Sequence, residues 1–520
     1  MTALGRGIVG PGLPVRNRLW RLMRLLGLLR RQDGISLVMA VGVLGLLSVT
    51  GTTVVYYSNA NARSAEFSQD NGHAYDLAEA GINEMMAVLS KPENNALNGD
   101  LLPETTHTYQ GGTVTWSGSF DLKSAQWSVT STGRIANPTG ATNQVTRTLS
   151  AKVPVTPTYT QPLNNPAWNY IYSRATGQPC DMTVSNNVGG SSRLYTAGNL
   201  CLNNNAGITS AALIVQGNLD LSNNSFVGAS TNMGARVETF VGRDCRYGNG
   251  SWATPCTGNQ DSRRIYSKKD PPSYTVGVTN PAPIIAEPTS DFDGWYANAM
   301  PGPATDCTNE NGARSGTPPV FDNDPVRNNS VPTVFELTPA SSYTCRVGPA
   351  NNPFGELSWD ASTRVLTVRG TIYIDGSARI ANGLLNEYDG QATIYLSGTL
   401  LVENGSKLCG GSSGSECDFG AWNPNTEMLT FVADGVGGQA ETGNSILINN
   451  NGQFQGGLFA THNLEYRNNA RSDGPMVGWE IKFANNVTND AFPTITTVPV
   501  GMPGNRQVHA QPNPPQLYSG

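Results

Sequence analysis

A chain of 520 residues is too long for one compact core, so a division into roughly two to four structural units is expected. Only 14% of the residues are charged, while 58 are Gly and 33 are Pro, a profile of β-rich, loop-rich extracellular proteins rather than of ordinary enzymes. A net charge of −6 argues against nucleic acid as a partner, because phosphate binding needs a basic surface that releases counterions.

Charge is unevenly spread along the chain. Residues 1–34 hold seven arginines (Arg6, Arg16, Arg18, Arg21, Arg24, Arg30 and Arg31) against the single acid Asp33. This basic head precedes an acidic body. From Ile35 to Tyr57 the chain then runs 23 residues without a charge, enough to cross about 30 Å of hydrocarbon as a helix. The positive-inside rule places residues 1–34 in the cytoplasm and the body outside a bacterial cytoplasmic membrane, as a single-pass protein or at the cell surface. A cleaved secretory signal ending near Ala60-Asn61-Ala62 is the competing reading, although its apolar region normally runs only about 7–15 residues. Beyond the apolar run, Ala78, Ile82, Met85, Met86 and Leu89 recur at helical spacing before Pro92. One helix is therefore expected over residues 35–92, a transmembrane part followed by an amphipathic part.

Arg30-Arg31-Gln32-Asp33-Gly34, followed by Ile35-Ser36-Leu37-Val38-Met39, resembles a type IV prepilin leader. The run Leu77–Leu89, LAEAGINEMMAVL, resembles the corresponding stretch of PilX-like minor pilins. The resemblance covers about residues 25–92. It implies cleavage after Gly34 by a prepilin peptidase, a mature N-terminus at Ile35, and partners among the membrane and other pilin-like subunits. The fifth mature position departs from the major-pilin pattern, with Met39 where a glutamate is usual. That glutamate would neutralise a neighbouring subunit's terminal amine inside an apolar filament core, where an unpaired charge is costly. Its replacement points to a minor, initiating or tip subunit, and a plain single-pass anchor is the alternative.

Between residues 106 and 155 the period becomes strand-like, in GGTVTWSGSFDL, SAQWSVTSTGRI and QVTRTLSAKVPV. A small antiparallel sheet on the amphipathic helix is expected, followed by a linker at Pro154, Pro157 and Pro162. Next comes an internal repeat of apolar-x-apolar and an Asn/Gly turn: TVSNNV (183–188), LCLNNNA (200–206), LDLSNNS (219–225), IYIDGS (372–377), LLVENGS (400–406), ILINNNG (446–452), LEYRNNA (464–470) and IKFANNV (481–487). Gly198 and Gly217 are 19 residues apart with their flanking Asn and Leu in register, the period of a stacked repeat. Residues 180–228 and 366–490 are accordingly expected to form a right-handed parallel β-helix, in a fold of mainly β or α+β class. Its rung pattern resembles that of the polymer-forming, bactofilin-like β-helices.

Residues 229–365 read as a Pro/Cys-rich insert, and residues 496–520 as a flexible tail. The eight cysteines are Cys180, Cys201, Cys245, Cys256, Cys307, Cys345, Cys409 and Cys417. Without CxxC pairs or clustered His, disulfides between sequence neighbours (180–201, 245–256, 307–345, 409–417) are the simplest arrangement, with free buried thiols as the alternative. No metal or other cofactor is expected: Asp291-Phe292-Asp293 and Asp322-Asn323-Asp324 could offer oxygen ligands to calcium but lack the twelve-residue loop pattern. Nor is catalysis. The rung acids Asp220, Asp375, Glu403 and Glu465 read as outward, solvated positions, and no nucleophile or phosphate motif stands in a supporting context. The expected function is a non-enzymatic prepilin-like surface protein that displays a β-helix for adhesion or interaction. The alternative is an anchored β-helical protein that binds or cleaves surface polysaccharide.

Overall fold

The computed structural model describes residues 35–505 and 510–519, apart from 92–93, 95, 110, 138–141, 230–235, 254–255, 257–263, 268–281, 293–304, 309–313, 316–333, 350, 375 and 436–442. Two units are distinguished. The smaller comprises the described residues up to Leu77 with Thr108–Thr113 and Gly133–Arg147; the larger comprises Ala78–His107, Val114–Thr132 and the rest from Thr148 onward.

A single α-helix runs Ile35–Leu89. No proline interrupts the chain between Pro14 and Pro92, so nothing removes a backbone donor along its length. It is apolar enough over its N-terminal part to cross a membrane. From Ala78 onward one face is buried: Ala78, Ile82, Met85 and Leu89 join Val114, Trp116, Trp127, Val129, Val153 and Val155 in one core.

The antiparallel sheet is ordered Thr105–Tyr109, Gly112–Asp121, Gln126–Ile135, Val145–Pro157 and Ala510–Pro512, with Gln516–Ser519 also on Val145–Pro157. Two expectations are corrected here. The described residues of the expected tail 496–520 pair with earlier strands: Ala510–Pro512 with Val155–Pro157, Gln516–Ser519 with Leu149–Lys152, and Thr497–Pro499 with Thr160–Pro162. Pro154 and Pro157 lie within a strand rather than a linker.

The remaining chain forms three long ladders that are mostly parallel. The first stacks Val365–Ile374, Leu385–Leu396, Met428–Ala433, Gly457–Ala460, Met476–Gly478, Ile171–Ser173, Leu194–Thr196, Ala212–Val215 and Glu238–Val241. The second stacks Val334–Glu336, Ser377–Ile380, Leu400–Val402, Asn444–Ile448, Asn463–Tyr466, Ile481–Phe483, Met182–Ser185, Leu200–Asn203, Leu219–Leu221 and Cys245–Tyr247. A third runs from Leu385–Glu387 through Lys407–Cys409, Gln453–Gln455, Arg471–Asp473, Thr488–Asp490, Gly189–Gly190 and Gly207–Ile208 to Phe226–Val227. Between the two ends of the stack, successive passes of the chain add one strand to each ladder. Leu200, Leu202, Leu219 and Leu221 are fully buried, so the apolar-x-apolar pattern marks the inward side chains.

Stacking order differs from chain order. Ile481–Phe483 lies beside Met182–Val184, and Met476–Gly478 beside Ile171–Ser173. The chain enters the stack at its middle, builds toward Cys245–Tyr247, resumes at the opposite end near Val334, and builds back until its last strands meet its first. The expected insert 229–365 is therefore corrected: it supplies Glu238–Val241 and Cys245–Tyr247 to one end of the stack and Val334–Glu336 to the other, with side strands at Tyr343–Val347 and Gly355–Asp360. IYIDGS also moves. Ile372–Ile374 belongs to the first ladder, and the second-ladder strand of that pass is Ser377–Ile380.

Candidate assembly helix and ladder face

Along the apolar half of the helix, Leu37, Val41, Leu44, Leu47, Val54 and Tyr57 are each more than 60% exposed, a surface that water alone would not favour. Its threonine hydroxyls bond back to the helix. Thr50 Oγ1 donates to Leu46 O at 2.8 Å and Thr52 Oγ1 to Ser48 O at 2.7 Å, so neither needs water. Met39 is on this surface, and the first charge after Ile35 is Arg63. Ile35 opens the helix; Gly34 lies outside the described residues.

At the buried end, Gly81 has a steric reason to be glycine. A Cβ there would stand 2.2 Å from Ser131 Oγ and 2.7 Å from Val114 Cγ2. Beside it Glu84 accepts from Trp116 Nε1 at 2.7 Å and lies 3.1 Å from His107 Nδ1, so the helix is tied to the sheet by a polar contact as well as by packing.

The corner after most second-ladder strands carries asparagine. Asn186, Asn187, Asn204, Asn205, Asn223 and Asn224 all have positive φ, as do Asn451, Asn469 and Asn486, a conformation Asn tolerates better than most side chains. Their amides bond from pass to pass. Asn223 donates to Asn204 Oδ1 and Asn204 to Asn186 Oδ1, both at 2.7 Å; Asn186 donates to Asn485, Asn485 to Asn468 at 2.7 Å, and Asn468 to Asn450 at 2.9 Å. A parallel column runs Asn205, Asn187, Asn486, Asn469. Both columns cross the junction between the two halves of the stack.

Disulfides join Cys180–Cys201, Cys245–Cys256 and Cys409–Cys417. Cys345 is also disulfide-bonded, and Cys307 is the residue opposite it in the ladder.

The rung acids are not all solvated, which corrects the reading above. Asp220 takes a forked contact from Arg246 at 2.6 and 2.7 Å, and Arg246 stacks on Trp252 at 4.6 Å. Glu465 is only 9% exposed. Burial alone would raise its pKa, but hydrogen bonds from Asn444 and Arg467, with Lys482 nearby, hold it below the usual carboxylate range. Glu403 is 3.8 Å from Arg379 Nη1. These acids serve separate ion pairs and are not brought together. Asp375, Asp293 and Asp322-Asn323-Asp324 lie outside the described residues; Phe292 is buried edge-on to Tyr395 at 5.0 Å. No cluster of three metal-ligating side chains occurs among the described residues.

One feature had no sequence signal. Asp473 is 1% exposed, and neither carboxylate oxygen has a hydrogen-bond partner among the described residues. Burial, reinforced by Asp490 and only partly offset by Arg471, pushes its pKa up to about 8.

No family model and no curated protein matches the chain. Among solved structures, the competence-associated pilin ComZ from Thermus thermophilus aligns at 11% identity over 86% of this chain and 98% of that one, with a TM-score of 0.23. A likeness of that size establishes neither a shared fold nor a shared function.

Proposed function

We propose that this chain is a non-enzymatic, prepilin-like membrane protein of the PilX-like minor-pilin kind, which holds a right-handed parallel β-helix outside the bacterial cytoplasmic membrane for adhesion or interaction. The observation that carries the reading is the helix Ile35–Leu89: uncharged and exposed through Tyr57, yet packed into a folded core from Ala78. Such a helix suits a lipid or an apolar filament at one end and a rigid head at the other. Prepilin peptidase would cut after Gly34, and other pilin-like subunits would meet the exposed half. With Met39 at the fifth mature position no carboxylate neutralises a neighbour's amine, which favours single copies at a filament end over a repeating shaft.

N-terminal sequencing of the mature protein from membranes and from sheared filaments tests this reading. A mature start at Ile35, its loss in Gly34→Ala, and a low copy number in the filament fraction are expected. A start at Arg63 would make residues 1–62 a secretory signal. Uncut protein confined to membranes would leave a plain anchor.

A further inference from the structure

At the corner between the second and third ladders lies a cleft of about 520 Å³, lined among others by Arg364, Leu384, Glu387, Lys407, Ser412 and Ser415. Its size falls in the range of about 300–1,000 Å³ usual for ligand sites. Most of its charge is already committed. Lys407 Nζ is 2.7 Å from both Glu416 Oε1 and Ser415 O, and Glu387 accepts the Ser412 hydroxyl. Arg364 is exposed and has no side-chain partner among the described residues, so one cation is left over.

The floor is open backbone. Gly383 and Gly405 have φ of +64° and +71°, and a Cβ at Gly405 or Gly414 would meet nothing within 4 Å. Leu384, 42% exposed, supplies one apolar wall. From this cleft the amide columns lead away: Gly405 N donates to Asn450 O at 2.9 Å, and Asn450 terminates the longer asparagine column.

We propose that the cleft and the adjoining asparagine corner bind a carboxylated polysaccharide. The Arg364 guanidinium meets a sugar carboxylate in a charge-assisted pair, Glu387 and the serine hydroxyls meet ring hydroxyls, and Leu384 meets a C–H face. An acidic peptide fits less well, since an extended peptide binds most readily by adding to a strand edge. Here Leu385–Glu387 already pairs with Lys407–Cys409 on one side, and Glu387 pairs with Val365 on the other. The inference rests on the display role proposed above but fails separately from it: processing at Gly34 and membrane insertion do not involve Arg364.

The test uses the full-length protein in detergent micelles and titrates it with oligogalacturonate and oligoalginate, with their carboxyl-reduced counterparts, and with hexaglutamate. Saturable binding of a carboxylated oligosaccharide is expected, at least tenfold weaker after carboxyl reduction and at least tenfold weaker in Arg364→Gln and in the cleft-filling Ser415→Trp. The remote Arg147→Ala should bind as the parent does, and all variants should unfold at the parent's midpoint. The proposal is overturned by no saturable binding of either oligosaccharide, by equal binding of the reduced forms, by preferential binding of hexaglutamate, or by unchanged affinity in folded Arg364→Gln.

Discussion

Asp473 shows what burial does to one side chain. Its carboxyl is enclosed, and in the register Asp473 stands opposite Gln455 on one side and Asp490 on the other. Gln455 is itself covered, accepting from Gly411 N and donating to Asp418 O, within the chain that leads to and from the Cys409–Cys417 disulfide. With a folded pKa of about 8 against an unfolded value near 3.9, the folded state keeps a proton that the unfolded state gives up. Stability from this group therefore falls as pH rises from about 4 to about 8, and is level above that. Asp473→Asn removes the titration while keeping the shape. Urea unfolding at pH 5 and pH 8 should show the parent losing stability relative to the variant, by several kcal/mol at most, with the variant the more stable at pH 8. Parallel pH dependence in both proteins would mean that the carboxylate ionises normally. Nothing in the local sequence Arg471-Ser472-Asp473-Gly474 announces this environment. Its register neighbours, Gln455 and Asp490, come from other passes of the chain, and contacts between passes leave no periodic trace.

Elements whose cause is local were legible in the sequence. The apolar run predicts the helix, and the amphipathic spacing picks out Ala78, Ile82, Met85 and Leu89, all buried. Paired asparagines after alternating strands mark corners because the required left-handed backbone is a property of single residues. What local pattern could not do is tell the ladders apart: Ile372-Tyr373-Ile374-Asp375 has the same form as Leu400-Leu401-Val402-Glu403 yet stands one ladder earlier in its pass. The corner can be dissected at Asn204, which has φ of 50°, donates to Asn186 and accepts from Asn223. Asn204→Gly removes both amide bonds and relieves the backbone; Asn204→Ala removes the same bonds and keeps the left-handed cost. The alanine variant is expected to be the less stable by about 1–2 kcal/mol in denaturant titrations, the cost of placing a Cβ in that conformation. If the two lose equal stability, the backbone contributes nothing at this corner and the amide column accounts for the whole effect.

At the scale of the molecule, the main departure from expectation is connectivity. Sequence repeats imply a stack built in chain order; here the strands that enter and leave are neighbours, a pairing between residues some three hundred positions apart that repeats alone do not encode. The same closeness continues outward. Pro162 stands opposite Thr497 in an antiparallel pair, and the segments beyond, Ala510–Pro512 and Gln516–Ser519, complete the sheet that rests on the helix. The stacked body is thus inserted into a head whose own strands lie on both sides of it in sequence. Joining Pro162 to Thr497 through Asn-Gly would convert that pair into a two-residue hairpin. The shortened protein loses some packing, since Phe120 lies 6.4 Å from Phe354 and Tyr159 donates to Pro353 O at 2.7 Å. Val114, Trp127, Val129 and Val153 still cover Ala78, Ile82 and Met85. It should therefore insert in membranes and keep a protease-resistant head with a lower melting temperature. If deletion instead yields a protein degraded as readily as an unfolded chain, the head depends on the body for its fold and the two are one cooperative structure.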